Sequence, residues 1–537
     1  MKKEINIKAD LRGLYNQEII EAILENRGIK DVESFLNPTE DWILPYNAMF
    51  RIDEAAKIVF DGLANGKQFF INIDSDTDGI SSGTIIVRYL KGLGCKVDWH
   101  VSERKTHGTS NALLRKLEEV KPDILIIVDS LDGNIENYSK IKDMGIQTIV
   151  LDHHIVDEKI PYDEYVCLVS SNRKYPNTEL SGSGCVWKFV KYLDSLLGTT
   201  DADNLADLAA CGIVSDMMNM SESNMENRAI VALGLSNLQN PAMKKIIGSY
   251  EYNSNSYSFS VAPLINASCR YNENENAVKC FLSDENKEVL KYLKVLKGCK
   301  ERQAIEIAEL MKDAIEQAES QIDKKMIVIV VDTDSGIKGL LANKLLEKYG
   351  RPIMVLQEDF GGYSGSCRSI GCGNFKAICD ETELGKFAGH EEAFGVESIY
   401  YYNFDAFREA VEKRLGDIEF KTELDVDAEL SLGDINEDLI RNVKAIDRIS
   451  GQGFKSIKVL IKCDDYEIST MSEGKHLVVN AQSPYKFVKW NASESLIEDM
   501  EEHAMFGDEL SFVGSLDIGY LGRAFSMRLI CDDIIEN

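Results

Sequence analysis

The sequence predicts an α/β protein: a parallel-sheet domain joined by a long helix to a second, smaller α/β domain, followed by a C-terminal β-barrel. Three observations predict it. From Phe69 to about Leu197, short apolar β-branched runs alternate with helical patterns, the signature of βαβ units and a parallel sheet. Residues 285–324 carry one long charged amphipathic pattern, from Val289-Leu290 through Leu296 to Met311 and Ala314, which suits a rigid connecting helix. Residues 421–537 change to short alternating apolar and polar runs, such as Ser456–Lys462 and Ala524–Ile530, which suit a small antiparallel barrel.

Taken in order, residues 18–65 show the i, i+3, i+4 apolar spacing of helices, in Glu18–Leu24 and again in Glu54–Val59. The apolar Gln68-Phe69-Phe70-Ile71 then delivers Asp74, Asp76 and Asp78, and the chain is expected to turn at Gly79. Leu125–Val128 delivers Asp129, Thr148–Leu151 delivers Asp152-His153-His154, and Gly212–Ser215 delivers Asp216. Residues 203–245 read as helical, and Lys325–Asp332 opens the second α/β unit, which runs to about Leu415. The expected organisation is therefore 1–284, 285–324 as the connecting helix, 325–416, and 421–537.

The chain has 537 residues, too many for one hydrophobic core, so two to four domains are expected. A net charge of −29 argues against a protein that coats nucleic acid with a broad basic face. It leaves room for a polyanionic substrate held by a local basic track or by cations. No apolar run approaches the ~20 residues that span a bilayer, and Met1–Lys8 lacks the apolar region of a signal peptide. The twelve cysteines form no CxxC pair and read as reduced thiols. These features predict a cytoplasmic, monomeric protein with no membrane partner.

An Asp after a strand is often only a helix cap or a turn former. That is the better reading for Asp123 and Asp132, and for Asp129 taken alone. Four apolar runs that agree in delivering Asp or His are a different matter, because carboxylates collected in one crevice repel each other unless a cation neutralises them. Asp76, Asp78, Asp129, His153 and Asp216 suit two Mn²⁺ ions with a bridging carboxylate, with Mg²⁺ as the alternative metal. Paired metals clamp the attacking and leaving oxygens of a phosphoryl displacement. Asp152 is placed to orient a ligand histidine, and His154 to bind the scissile phosphate. With no P-loop, dinucleotide fingerprint or nucleophile elbow, the residues read as a metal-dependent phosphoester hydrolase. Ser364–Gly373 combines hydroxyls, Arg368 and free backbone N–H groups as a phosphate nest would; a flexible surface loop is an equal reading.

Asp-x-Asp-x-Asp-Gly, Val-Asp, Asp-His-His and Gly-x-Val-x-Asp, in this order, resemble the four motifs of the DHH phosphoesterase superfamily, and nearly the whole chain is similar to its RecJ-type single-strand-specific 5′ exonucleases. Asn26–Ile29, Phe35–Pro38, Leu264–Arg270, Gly336–Ala342 with Arg351-Pro352, Ser366–Ser369 and Gly389-His390 resemble further family segments. The resemblance implies a DHH catalytic domain within 1–284, a DHHA1 domain over 325–416 and an OB-fold over 421–537. It implies metal ligation by Asp76, Asp78, Asp129, His153 and Asp216, supporting roles for Asp74 and Asp152, and His154 on the scissile phosphate. It also implies that Arg104, Asn266, Arg270, Ser366, Arg368 and Ser369 hold the strand or its 5′-phosphate, and that His390 sits near the scissile nucleotide. Single-stranded DNA is the implied substrate, with a single-strand-binding protein or a helicase as a possible partner in recombination or repair.

The chain also departs from the family. The histidine that often stands two residues before the first Asp is Asn72, the family's Gly-Tyr-Gly is Gly108-Thr109-Ser110, and its Gly-Gly-His is Ala388-Gly389-His390. Pro-Phe-Gly-x-Gly-Asn survives only as Ser450–Phe454. The alternative function is a DHH-type phosphodiesterase of short oligonucleotides or cyclic dinucleotides. A catalytically dead scaffold is the third reading, disfavoured because every motif Asp and both histidines are present.

Overall fold

A computed structural model of the chain describes residues 3–103, 106–248, 251–333, 336–420, 422–521 and 524–536. It divides into two compact units. The first comprises residues 7–296 together with 425–537, and the second residues 297–424 with Lys3–Asn6.

In the first unit, five strands form an all-parallel sheet in the order Lys96–Val101, Gln68–Ile73, Ile124–Val128, Gln147–Asp152, Cys167–Ser170. Both faces are covered, so the strands are apolar along their length rather than alternating. Phe69, Ile71 and Ile73 join the large core beneath Thr77–Gly92, Gly182–Leu197 and Ala206–Ser215. Phe70, Leu125 and Ile127 face a smaller core built by Leu113 and Leu117 of Asn111–Val120 and Ile141 of Ile135–Asp143. The strand Gln68–Ile73 is followed in sequence by the neighbour on one side and then by the neighbour on the other. The chain therefore reverses its winding between Gln68–Ile73 and Ile124–Val128. A crevice opens at such a point, beyond the carboxyl ends of the two strands.

The helical expectation for residues 18–65 resolves into Asn16–Asn26, Val32–Leu36 and Ile52–Ala64, with short 3₁₀ turns between them. The first of these buries Ile19, Ile20, Ile23 and Leu24. Gly79 does not turn the chain; it lies in the first turn of Thr77–Gly92. A Cβ there would sit 2.5 Å from that of Asp74, so the close approach of the two segments demands glycine. Asp216 caps the C-terminus of the α-helix Ala206–Ser215, inside the stretch 203–245 that reads as helical.

The C-terminal segment forms a seven-stranded sheet, largely antiparallel, that runs from the edge strand Ala428–Leu430 to the edge strand Glu467–Met471. Two of its pairings, Ala428–Leu430 with Val459–Cys463 and Tyr485–Lys489 with Ala524–Glu536, are parallel. This segment shares its core with the N-terminal one: Leu430, Leu439, Val443 and Phe454 pack in the same cluster as Ile19, Phe35 and Met220. Arg228 is 1% exposed and ties the two together. Its guanidinium lies 3.5 Å from the centre of the Phe35 ring and donates to the carbonyls of Phe35 (3.0 Å), Met220 (3.1 Å) and Ile449 (3.0 Å). Arg27 grips Asp427 with two bonds of 2.7 Å.

In the second unit, a five-stranded mixed sheet has the order Lys386–Gly389, Ala393–Tyr400, Gly362–Arg368, Ile353–Asp359, Ile327–Val330. The long helix Asn286–Glu319 crosses the division between the units. Val289, Leu293 and Leu296 are buried in the first core, and Ala314 and Ala318 in the core of the second sheet. Among the described residues no helix is long and apolar enough to cross a membrane.

Candidate metal centre

The crevice is lined by residues that the parallel strands and the following helices deliver one by one. Asp74 follows Gln68–Ile73 directly and is 2% exposed. Asp76 caps Thr77–Gly92, accepting the Gly79 N–H at 2.9 Å. Asp78, in the first turn, is 1% exposed and is held by a second helix N-terminus: Oδ2 accepts the Gly182 N–H at 2.7 Å and Oδ1 the Ser183 N–H at 3.0 Å, with Ser181 Oγ donating at 3.1 Å. A carboxylate at a helix N-terminus gains both orphan donors and the favourable end of the dipole.

Asp129 follows Ile124–Val128 with φ +54°, a left-handed conformation that Asp tolerates better than most residues. Its Oδ1 is buried and has no hydrogen-bond partner. Asp152 ends Gln147–Asp152 and is fully buried. It accepts the N–H groups of Leu131, His153 and His154, each at 2.6 Å, and faces His154 Nδ1 at 2.8 Å. His153 Nε2 lies 3.2 Å from Asp129 Oδ1, 3.4 Å from Asp216 Oδ2 and 3.9 Å from Asp78 Oδ2.

Two groups of side chains can each close on a cation: Asp129 with His153 and His154, and Asp78 with His153 and Asp216. The electrostatics agree. Burial, followed by the charges of Asp78 and Asp76, pushes Asp129 well above the ordinary carboxylate value. Burial and the same two neighbours push Asp216 up to about 8; partial desolvation in the crevice with the charges of Asp74 and Asp78 pushes Asp76, whose side chain still reaches solvent, up to about 6. The crevice thus holds more negative charge than its surroundings compensate, and an orphaned buried carboxylate oxygen points into it. A divalent cation with oxygen and imidazole ligands fits this donor set.

The expected residues Asp74, Asp76, Asp78, Asp129, Asp152, His153, His154 and Asp216 all come together here. Asp76 stands beside the two groups without joining either. Asn266 is also close, accepting the Thr77 hydroxyl at 3.0 Å, and Arg270 is one helical turn further along Ala262–Arg270. Arg104 lies outside the described residues. In the second unit, Ser366 and Arg368 share one face of Gly362–Arg368, against the start of the helix Lys338–Tyr349, where a Cβ on Gly339 would lie 2.9 Å from Arg368 Nη2. The Ser369 N–H bonds to the Glu392 carbonyl at 2.9 Å, and the exposed His390 follows Lys386–Gly389.

The sequence reading missed His107, whose Nδ1 lies 2.9 Å from Asp74 Oδ1. It also missed Ser130, which donates to Asp74 Oδ1 at 3.1 Å, and the Ser181–Ser183 turn that carries Asp78. A histidine a few residues beyond the end of Lys96–Val101, on the crevice side of a parallel sheet, was the available signal for His107.

The fold and centre resemble those of DHH phosphoesterase-type proteins with a DHHA1 domain. The DHH family, N-terminal domain, matches residues 68–213, and the DHHA1 domain matches residues 323–417. Within this class the chain is RecJ-like. It is 26% identical over 552 residues to a Bacillus subtilis protein named as an SPbeta prophage-derived single-strand DNA-specific exonuclease, YorK, covering 95% of this chain and 93% of that one. It is 28% identical over 414 residues to the single-stranded-DNA-specific exonuclease RecJ of Bacillus subtilis, covering 73% of this chain and 51% of that one. The crystal structure of RecJ from Thermus thermophilus in complex with Mn²⁺ superposes with a TM-score of 0.77 at 22% identity, covering 100% of this chain and 80% of that one.

Proposed function

We infer that the protein is a divalent-metal-dependent exonuclease that hydrolyses phosphodiester bonds of single-stranded DNA. The observation that carries this is the cluster of Asp78, Asp129, His153 and Asp216 at the switch point of a DHH sheet. Its setting adds support, in a chain that aligns along almost its whole length with a protein named as a single-strand DNA-specific exonuclease.

One imidazole nitrogen binds one cation, so His153 would serve only one of the two groups; two cations, Mn²⁺ or Mg²⁺, would be held by Asp78, Asp129, His153 and Asp216, with Asp76 alongside as a further carboxylate. When bound, the cations supply positive charge and Lewis acidity at the phosphate oxygens. The remaining roles fall to the chain. Asp152 fixes the Asp-His-His turn and holds a proton on His154 Nδ1, and its hydrogen bond raises the His154 imidazole to about 9. His154 thus meets the scissile phosphate as a cation. Asn266 and Arg270, with Arg104, track the strand. Ser366, Arg368 and Ser369 form a 5′-phosphate pocket that sets 5′→3′ polarity, and His390 serves the terminal nucleotide. The 421–537 segment, read as OB-like, adds contacts for longer strands.

The test is cleavage of 5′-labelled single-stranded DNA, duplex DNA and a dinucleotide, each with Mn²⁺ and with EDTA. Mn²⁺-dependent release from the 5′ end of the single strand is the expected result. Cleavage of the dinucleotide alone would make the chain a short-substrate phosphodiesterase.

A further inference from the structure

We propose that His107 is a second contact for the scissile phosphate, paired with His154 across the mouth of the metal centre. The proposal rests on the phosphodiesterase reading above.

The two histidines repeat one arrangement. His154 Nδ1 lies 2.8 Å from the buried carboxylate of Asp152, and His107 Nδ1 lies 2.9 Å from the buried carboxylate of Asp74. In each, the carboxylate occupies Nδ1 and fixes the ring, leaving Nε2 as the nitrogen available to a ligand. The ring centroids are 6.2 Å apart with an interplanar angle of 60°, a separation over which two imidazoles can both reach oxygens of one phosphate. Exposure separates these two rings from His153. The side chains of His107 and His154 are 57% and 47% exposed, whereas that of His153, set among three carboxylates, is 12% exposed.

The loop that carries His107 is fastened to the same strand ends that carry the metal ligands. The Gly108 N–H bonds to Ser130 Oγ at 2.7 Å, and Ser130 in turn bonds to Asp74 at 3.1 Å. Asn72 Nδ2 reaches the Gly108 carbonyl at 3.3 Å. Thr109 gives Asp132 both its N–H (2.6 Å) and its hydroxyl (2.9 Å). Gly108 itself has φ +67°, and a Cβ there would fall 2.3 Å from Asp132. Asn72 stands where the family often has histidine, and its Oδ1 is buried without a partner. In this chain the imidazole beside Asp74 therefore comes from the loop after the neighbouring strand.

A second N–H donor matters because hydrogen bonds to a charged phosphate are roughly twice as strong as those between neutral groups. Removing one such donor from a phosphate contact should lower kcat/KM about 10–100-fold.

The experiment compares wild type with His107→Ala and His107→Asn, the second of which keeps an N–H for Asp74 and guards against a collapsed loop. Two readouts are taken: Mn²⁺ binding by calorimetry without DNA, and single-turnover cleavage of single-stranded oligonucleotides with each phosphorothioate diastereomer at the scissile position. The expected result is Mn²⁺ affinity within about twofold of wild type, a loss of about 10–100-fold in cleavage by both variants, and a smaller penalty for one sulfur diastereomer. Unchanged cleavage in both variants overturns the proposal. So does Mn²⁺ binding weakened about tenfold or more, which would make His107 a metal ligand. If wild type cleaves no single strand at all, the function itself fails, an outcome distinct from either.

Discussion

Asp152 Oδ1 lies 2.8 Å from His154 Nδ1, and the same oxygen accepts the backbone N–H of both His153 and His154 at 2.6 Å. One carboxylate thus folds the Asp-His-His turn, fixes the backbone of His153 and raises the imidazole of His154. Burial works to raise Asp152, yet the hydrogen bond from His154 and the two imidazole charges leave it below its ordinary value. Replacing it with Asn removes the negative charge and one acceptor. We expect Asp152→Asn to lose about 10–100-fold in kcat and about 1–3 kcal/mol in stability. His154 should titrate well below about 9 in an NMR pH series of the variant. A His154 that still titrates near that value would refute the assignment.

Asp129→Asn should be inactive and, without metal, more stable than wild type. Asp129 is surrounded by Asp78, Asp76, Asp152 and Asp74, and its Oδ1 has no hydrogen bond to lose. Thermal unfolding in EDTA and in Mn²⁺ reads both effects: the variant should melt higher than wild type in EDTA and gain less from Mn²⁺. A lower melting point in EDTA would contradict the repulsion argument.

Stability should depend on pH in opposite ways with and without metal. Asp76 and Asp216 are raised in the folded state, to about 6 and about 8. A carboxyl raised on folding favours the folded state while protonated. In the apo protein this contribution is full below the ordinary carboxylate value and is lost as pH rises through about 6 and then about 8. The deprotonated carboxylates are the form that binds metal. The rise in melting temperature on adding Mn²⁺ should therefore grow between about pH 6 and about pH 8, and calorimetry across that range checks it.

Gly212→Ala should inactivate the enzyme without touching a ligand. A Cβ at 212 would fall 1.9 Å from Ser183 Oγ and 2.0 Å from Asp78 Oδ1, a collision that must push Asp78 from its seat. The expected loss is about 100-fold or more in activity, by analogy with misplacement of a catalytic group by about 1 Å, together with weaker Mn²⁺ binding. Wild-type Mn²⁺ affinity in this variant would show that Asp78 is not a ligand.

Arg228→Ala should cost about 3 kcal/mol or more, because three buried carbonyls lose their donor at once. For the same reason, a chain ending at residue 424 should be poorly folded rather than a short-substrate enzyme, since it would uncover the face that Leu430, Leu439 and Phe454 bury. Urea unfolding of the point variant and the solubility of the truncation test both statements. A well-folded, active truncation would restore the picture of a separable C-terminal module.

The sequence by itself determined much of this protein. Parallel strands were readable because both faces of the sheet are covered, so Phe69–Ile73 and Leu125–Val128 are apolar at every position but Asn72. The acidic centre was readable because its side chains follow those runs immediately, and a strand end in such a sheet has only one crevice to face. The order of the four motifs and the long helix were equally local signals.

What only the tertiary structure decided are the relationships between segments far apart in the chain. Asp216 closes the centre from the C-terminal end of Ala206–Ser215, bringing its Oδ2 to 3.4 Å from His153 Nε2. His107 meets Asp74 across two strands, and Ser181–Ser183 meets Asp78 more than a hundred residues away in the chain. Residues 425–537 share one core with residues 7–296 because Arg228, Arg27 and Phe35 find their partners there. Periodicity records which face of an element is buried; it carries no information about which distant surface buries it.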